Sequence, residues 1–284
     1  MMPMIKKIAI LMMSFLLIPA VIFADERPMP PLAVKAAMLV DMNTGRILFQ
    51  QNSDRIIQPA SLSKIMSLYL IAEDIENRKA DYSDLVTISQ NAVYTNGSKI
   101  LFEPGEQCEV FDLVKGMAIY SSNDAAVALA EHFGGSVEHF VRRMNAKAKE
   151  MGLTHTHFVN PHGLPNTEQT TTVRDIYILS RNYLKRFPNL RQIHSIENFV
   201  FHDTILRNRN DLLMSYPGVD GLKTGYVRAA GCHLVATATR GDMRLMAIVL
   251  GAKSARVRAQ EITKLLDYGF DLIEERNKVN KAGG

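Results

Sequence analysis

The chain has 284 residues, 47% of them hydrophobic, and carries 33 basic against 29 acidic side chains, a formal charge of +4. So even a balance argues against a nucleic-acid partner and requires no acidic one, and the hydrophobic fraction is that of a globular protein able to bury a full core as one large domain. Only two cysteines occur, with no Cys-x-x-Cys or Cys/His ligand spacing, so no metal or cofactor motif is present in the sequence.

Taken in chain order, the first residues read as an address. Lys6 and Lys7 precede an apolar run from Ile8 to Ala24, broken only by Ser14 and followed by Asp25-Glu26-Arg27. A run of about 17 residues is at the short limit for crossing a bilayer, and a small residue at its end suits cleavage. Residues 1–24 are therefore expected to be a signal peptide removed after Ala24. Two lysines and no acids leave with it, so the mature charge is +2. No later segment is apolar enough to span a membrane.

Val34 to Asp41 reads as a strand, Met42 to Gly45 as a turn and Arg46 to Gln50 as the return strand. Pro59-Ala60 leads into Ser61, after which Leu62, Ile65, Met66, Leu68, Tyr69 and Ile71 recur at helical spacing. Residues 77–112 are polar, with short strand-like pieces and a Pro104-Gly105 turn. Residues 113–151 are strongly helical apart from a joint at Ser121-Ser122-Asn123. Asn160 to Pro165 is an ordered loop; His155, His157 and His162 lie near it without a ligand pattern, and no metal site is expected.

Thr172 opens a helix reaching about Leu184, in which Ser180 reads as a solvent-facing serine. Phe199 to His202 and Gly218 to Gly225 are β. Cys232 to Thr239 and Met243 to Gly251 form a hairpin turning at Arg240-Gly241-Asp242, and Arg258 to Ile273 is a final amphipathic helix. Residues 276–284 read as a frayed polar tail. Cys108 and Cys232 each sit in a strand-like run and are expected as small buried residues; their pairing is left open. The pattern predicts an α/β chain of the α+β type. An antiparallel sheet gathers N- and C-terminal strands, helices lie on its faces, and a helical lobe is inserted between them.

Three short motifs carry chemistry. Ser61-Leu62-Ser63-Lys64 occurs once and Lys223-Thr224-Gly225 once, whereas S-x-N occurs three times, at Ser89, Ser121 and Ser180. Context selects Ser121-Ser122-Asn123, the tight joint between an apolar helix and an alanine-rich one. S-x-x-K, S-x-N and K-T-G in that order mark active-site serine enzymes that open or make acyl bonds. Taken singly, Ser61 reads as a helix cap, Lys64 as a solvated helix lysine and Lys223 as a turn residue; jointly those readings demand too many coincidences.

Three residues apart on a helix, Ser61 and Lys64 share one face. A serine hydroxyl needs a base, and lysine can serve only if burial and a second cation, here Lys223, depress its proton affinity. Ser121 would relay the proton to the leaving amine, and Asn123 would hold the acylated chain or Lys64 itself. Lys223 and Thr224 sit on a strand edge able to meet a carboxylate or an extended peptide. Gly225 lets a substrate backbone approach, and the Tyr226 N–H pairs with that of Ser61 as an oxyanion hole.

With these residues in view, four segments resemble the low-molecular-weight penicillin-binding proteins, the serine D-alanyl-D-alanine carboxypeptidases. They are Pro59 to Met66, Ser121 to Ala125, Phe158 to Leu164 and Gly218 to Gly225, and the match runs from about Val34 to Phe270. The resemblance implies a β-lactamase/transpeptidase-like fold, residues 25–275 as one D,D-peptidase catalytic domain, and acylation of Ser61 by a peptidoglycan stem peptide ending in D-Ala-D-Ala. It implies trapping of Ser61 by β-lactams and a periplasmic location, at most peripheral to the inner membrane. Arg209 and Arg258 match family arginines near the substrate carboxylate, although a surface salt bridge fits Arg209 equally well.

The sequence departs from the family in three ways. Tyr226 stands where histidine is common, Val227-Arg228 replaces a small polar pair, and no second β-rich domain or C-terminal amphipathic anchor is expected. A β-lactamase reading lacks a deacylating glutamate on the loop around His162 to Leu164. A D,D-endopeptidase would share the chemistry. A non-catalytic wall-binding scaffold would not need the intact set Ser61, Lys64, Ser121, Asn123 and Lys223.

Overall fold

The computed structural model describes residues 29–282, so the expected signal peptide lies outside the described residues. The strands are β1 (Ala36–Asp41), β2 (Ile47–Gln51), β3 (Leu85–Thr87), β4 (Gln107–Glu109), β5 (Asn198–Phe201), β6 (Thr204–Arg207), β7 (Val219–Val227), β8 (Gly231–Arg240) and β9 (Met243–Ala252). The helices are α1 (Ser63–Glu76), α2 (Gln90–Tyr94), α3 (Val110–Lys115), α4 (Asn123–Gly134), α5 (Val137–Glu150), α6 (Val173–Arg186), α7 (Arg191–His194), α8 (Leu212–Ser215) and α9 (Ala255–Ala282).

One five-stranded sheet runs β2-β1-β9-β8-β7, with every neighbouring pair antiparallel, so strands from both chain ends meet as expected. Its central strands read as near-continuous apolar runs because both faces are covered. Ala36, Met38, Val40, Ile248 and Leu250 face α1, α6 and the helical lobe. Ala37, Leu39, Leu245, Ala247 and Val249 alternate with them and meet Ile262, Leu265, Leu266 and Phe270 of α9. Helix α1 is apolar almost all round and runs through the middle, buried between sheet and lobe. At its C-terminal end Asp74 pairs with Arg143 (2.5 Å) and Glu73 with Lys147 (3.0 Å) and Arg186, tying α5 and α6 to it.

Several expectations need correction. The helical block 113–151 is four pieces: α3, a π-type turn at Gly116–Tyr120, α4 and α5. Ser180 is fully buried on α6 instead of facing solvent, because Leu179 and Tyr183 of the same helix pack inward beside it. The last helix begins at Ala255 and continues through residues 276–282, where a frayed tail was expected. Cys108 and Cys232 are buried free thiols, the former pushed up to about 12, chiefly by burial.

Candidate active site

Two helix-entry turns and one strand edge build the site. The segment ahead of α1 is a 3₁₀ turn, Ala60–Leu62, in which Ala60 is held at φ +51°, a region that residues with a Cβ seldom occupy. It is clamped from both sides. A Cβ on Gly163, itself at φ +90°, would fall 1.9 Å from the Ala60 carbonyl oxygen. On the other side, a Cβ on Gly225 of β7 would meet Ser61 N at 3.3 Å. Behind it, Gly251 N–H donates to Nδ1 of His233 (2.9 Å), so the ring proton is on Nε2, which donates to the Gln58 carbonyl (3.0 Å). The second turn ends α3's continuation with Ser121 at φ +66°; Ser122 then caps α4, its hydroxyl accepting from Ala125 N–H.

Lys64 is fully buried one turn along α1 from Ser61, and its Nζ meets three oxygens: Asn123 Oδ1 at 2.6 Å, the His162 carbonyl at 2.7 Å and Ser61 Oγ at 3.2 Å. The Asn123 amide is oriented by its own Nδ2, which donates to the Asn96 carbonyl at 2.7 Å. Two of the three oxygens are carbonyl-type and can only accept. A neutral amine has two N–H groups for them and one lone pair left, aimed at the Ser61 hydroxyl. Burial first, and the Lys223 charge second, hold Lys64 well below the usual lysine range, against an opposing pull from Asp124.

Lys223 is buried on β7, the edge strand, and its Nζ donates to Ser121 Oγ (2.9 Å) and the Thr224 carbonyl (3.2 Å). Burial, then Arg209 and Arg258, lower it to about 7. The side chain of Tyr226 points into solvent and is 63% exposed. Arg209 lies over the Tyr120 ring (4.1 Å to its centroid) and donates to Ser98 Oγ (3.2 Å), and its carbonyl accepts from Nη2 of buried Arg258 (3.4 Å). Arg258 approaches Asp211 at 3.9 Å and its Nε has no protein partner.

Eight of the ten candidate residues line one cleft of about 1100 Å³; Lys64 and Lys223 lie beneath it and reach it through Ser61 and Ser121. Nothing in the sequence pointed to the His162 carbonyl, a backbone atom that any residue type supplies. The close approach of Gly163 could have been suspected from Asn160-Pro161-His162-Gly163, and the wall at Gly97 and Ser98 from the Asn96-Gly97 turn signal. Among the described residues no cluster of His, Cys, Asp or Glu is arranged to hold a metal ion.

This fold, with serine, buried lysine and K-T-G strand converging on one cleft, is the architecture of the penicillin-binding class. Residues 24–254 match the D-alanyl-D-alanine carboxypeptidase family, and the chain belongs to it. It is 41% identical over 244 residues to D-alanyl-D-alanine carboxypeptidase DacF of Bacillus subtilis, a match covering 84% of this chain and 63% of that protein. The chain thus spans less than two thirds of that relative's length. Penicillin-binding protein 5 of Haemophilus influenzae superposes with a TM-score of 0.83 at 37% identity, over 86% of this chain and 72% of that one. Penicillin-binding protein D2 of Listeria monocytogenes, in its cefotaxime-bound form, gives 0.78 at 30% identity, over 86% of this chain and all (100%) of that one.

Proposed function

We propose that the protein is a serine D-alanyl-D-alanine carboxypeptidase that removes the terminal D-Ala from peptidoglycan stem peptides through an acyl-enzyme on Ser61. The observation that carries this reading is Lys64: buried, with two fixed acceptors for its N–H groups and its remaining position 3.2 Å from Ser61 Oγ. The resting amine takes the hydroxyl proton as Oγ attacks the penultimate carbonyl carbon. The N–H groups of Ser61 and Tyr226 hold the oxyanion. As the peptide bond breaks, Ser121 gives its proton to the departing D-Ala amine and Lys223 replaces it. A water molecule then opens the ester by the same steps in reverse order.

Arg258 and Arg209 suit the terminal carboxylate, since a fixed guanidinium binds a carboxylate through paired donors. The same acyl chemistry accounts for reaction with β-lactams, and a relative of the same fold carries cefotaxime in its solved form. We place the chain in the periplasm; among the described residues no helix is long and apolar enough to cross a membrane.

The test is fluorescent-penicillin labelling of wild type and Ser61→Ala, run beside D-Ala release from a diacyl-lysyl-D-Ala-D-Ala peptide. Labelling and release in wild type, both lost in the variant, are expected. Release of monomers from cross-linked dimers without free D-Ala would assign a D,D-endopeptidase instead, and rapid, sustained nitrocefin turnover a β-lactamase.

A further inference from the structure

The acyl transfer described above has no use for a carboxylate, yet Asp124 is fully buried beside it and four donors converge on its two oxygens. Oδ2 accepts from the N–H groups of Ile100 (2.9 Å) and Leu101 (3.1 Å). Oδ1 accepts from Ala125 N–H (2.9 Å) and from the Ser122 hydroxyl. These four donors fill the acceptor capacity of an ionised carboxylate. Its two ends join two pieces of the cleft that are separate in sequence: the first turn of α4, which presents Asn123 to Lys64, and the 96–101 loop, which contributes Gly97 and Ser98 to the wall.

Asn123 reinforces this seam, its N–H donating to the Ser98 carbonyl (2.7 Å) and its Nδ2 to the Asn96 carbonyl (2.7 Å). The loop does not hold this shape by its own preferences. Leu101 sits at φ +74° with its apolar side chain 73% exposed, a conformation that persists only where neighbours over-determine it.

We propose that Asp124 is a positioning residue for the reaction. Through Ile100 and Leu101 it pins the 96–101 loop against the Asn123 that orients Lys64, and its charge is the counterweight to Lys223 at the Lys64 amine. The inference rests on the carboxypeptidase reading in taking Lys64 as the base. The groups that face Lys64 bear it out. Ser61 on its own helix and Asn123 on α4 are uncharged, and the 160s loop offers a carbonyl and the neutral ring of His162, which burial and Lys64 lower to about 3. β7 brings the Lys223 cation, which together with burial opposes protonation; Asp124 is the charge that favours it, alongside the two carbonyl-type acceptors. A base too weak cannot take the Ser61 proton, and one too strong rests as ammonium; opposing charges set the balance between them.

Two variants of the full chain separate the charge from the seam. Asp124→Asn can keep Oδ1 on the Ile100 and Leu101 N–H groups while its amide donates to Ser122, so the loop stays and the charge goes. Ser122→Ala leaves the charge with one donor fewer. The acid limb of the penicillin acylation rate should move down by roughly half a pH unit in Asp124→Asn and up in Ser122→Ala. The Cε resonance of Lys64 in ¹³C-lysine-labelled protein should titrate in the same opposite directions, and that measurement needs no turnover. Asp124→Ala, which frees the loop as well, should add a rise in KM that Asp124→Asn lacks.

Unmoved limbs, or limbs displaced the same way in both variants, overturn the proposal. Should Asp124→Asn fail to fold, the Ser122→Ala titration decides. A wild type that neither labels nor releases D-Ala defeats the carboxypeptidase reading, whereas the Lys64 titration still passes judgement on Asp124.

Discussion

Lys223 Nζ donates to Ser121 Oγ across 2.9 Å, so the two lysines divide the two serines between them, Lys64 holding Ser61. The division predicts a bell-shaped kcat/KM for D-Ala release. The acid limb belongs to Lys64, which must shed its proton to act. The alkaline limb belongs to Lys223, whose value in the free enzyme lies near 7 against an ordinary 10.5, so its cation is present below about pH 7 and lost above it. Profiles measured from pH 5 to 10 check this. In Lys223→Arg the cation persists at every accessible pH, and the alkaline limb should vanish even as the plateau drops.

Lys64→Met fills the same channel without a basic nitrogen. Acylation of Ser61 by penicillin should slow by about 10³-fold, in the range that general bases supply. Intact-protein mass spectrometry over time measures it. A variant that acylates at the wild-type rate would remove Lys64 from the reaction.

Gly163 and Gly105 both have φ near +90°, at +90° and +85°, but differ in surroundings: a Cβ on Gly163 would collide with the Ala60 carbonyl at 1.9 Å, and one on Gly105 meets nothing within 4 Å. Gly105→Ala should therefore cost only backbone strain, about 1 kcal/mol. Gly163→Ala adds overpacking against the nucleophile turn and should cost about 3 kcal/mol or more, with penicillin labelling reduced at least tenfold. Chemical denaturation of the two variants beside wild type is the comparison; equal losses would mean that the contact with Ala60 is soft.

Acid stability has a defined sign. Burial first of all lowers His162 to about 3, His194 to about 3 and His233 to about 4, from an ordinary 6.5. Between about pH 4 and 6.5 the unfolded chain therefore binds up to three more protons than the folded one. Stability present above pH 6.5 drains away as pH falls through that window, by at most about 4 kcal/mol per pH unit. Melting temperatures taken from pH 7 down to 4 should fall steadily; a flat line over that span would contradict the buried neutral rings.

The sheet was legible because its strands are short apolar runs set off by turn residues, and β8–β9 turns where Arg240-Gly241-Asp242 said it would. The cleft was legible because S-x-x-K, S-x-N and K-T-G name particular side chains at fixed spacings, and eight of the ten candidates line it. Other features hid for physical reasons. Ser180 falls four residues after Ile176 on the apolar face of α6, and only the polarity of its side chain made it read as solvent-facing. The β5–β6 hairpin turns through His202 and Asp203 at φ +43° and +59°, without the glycine that usually announces such a turn. The break between α4 and α5 did carry a signal, Gly135 at φ +72° followed by Ser136 capping α5. Asp124 was hidden because an acid in a first helical turn is already favoured by the helix dipole.

The pairing of β1 with β9 sets Met38 opposite Ile248, some 210 positions apart. A closure that distant is slow and can begin only once β9 has been synthesised. Ser61 is thus translated long before the sheet beside it can close, and any product of premature termination ahead of β9 is left with β1 unpaired along that edge.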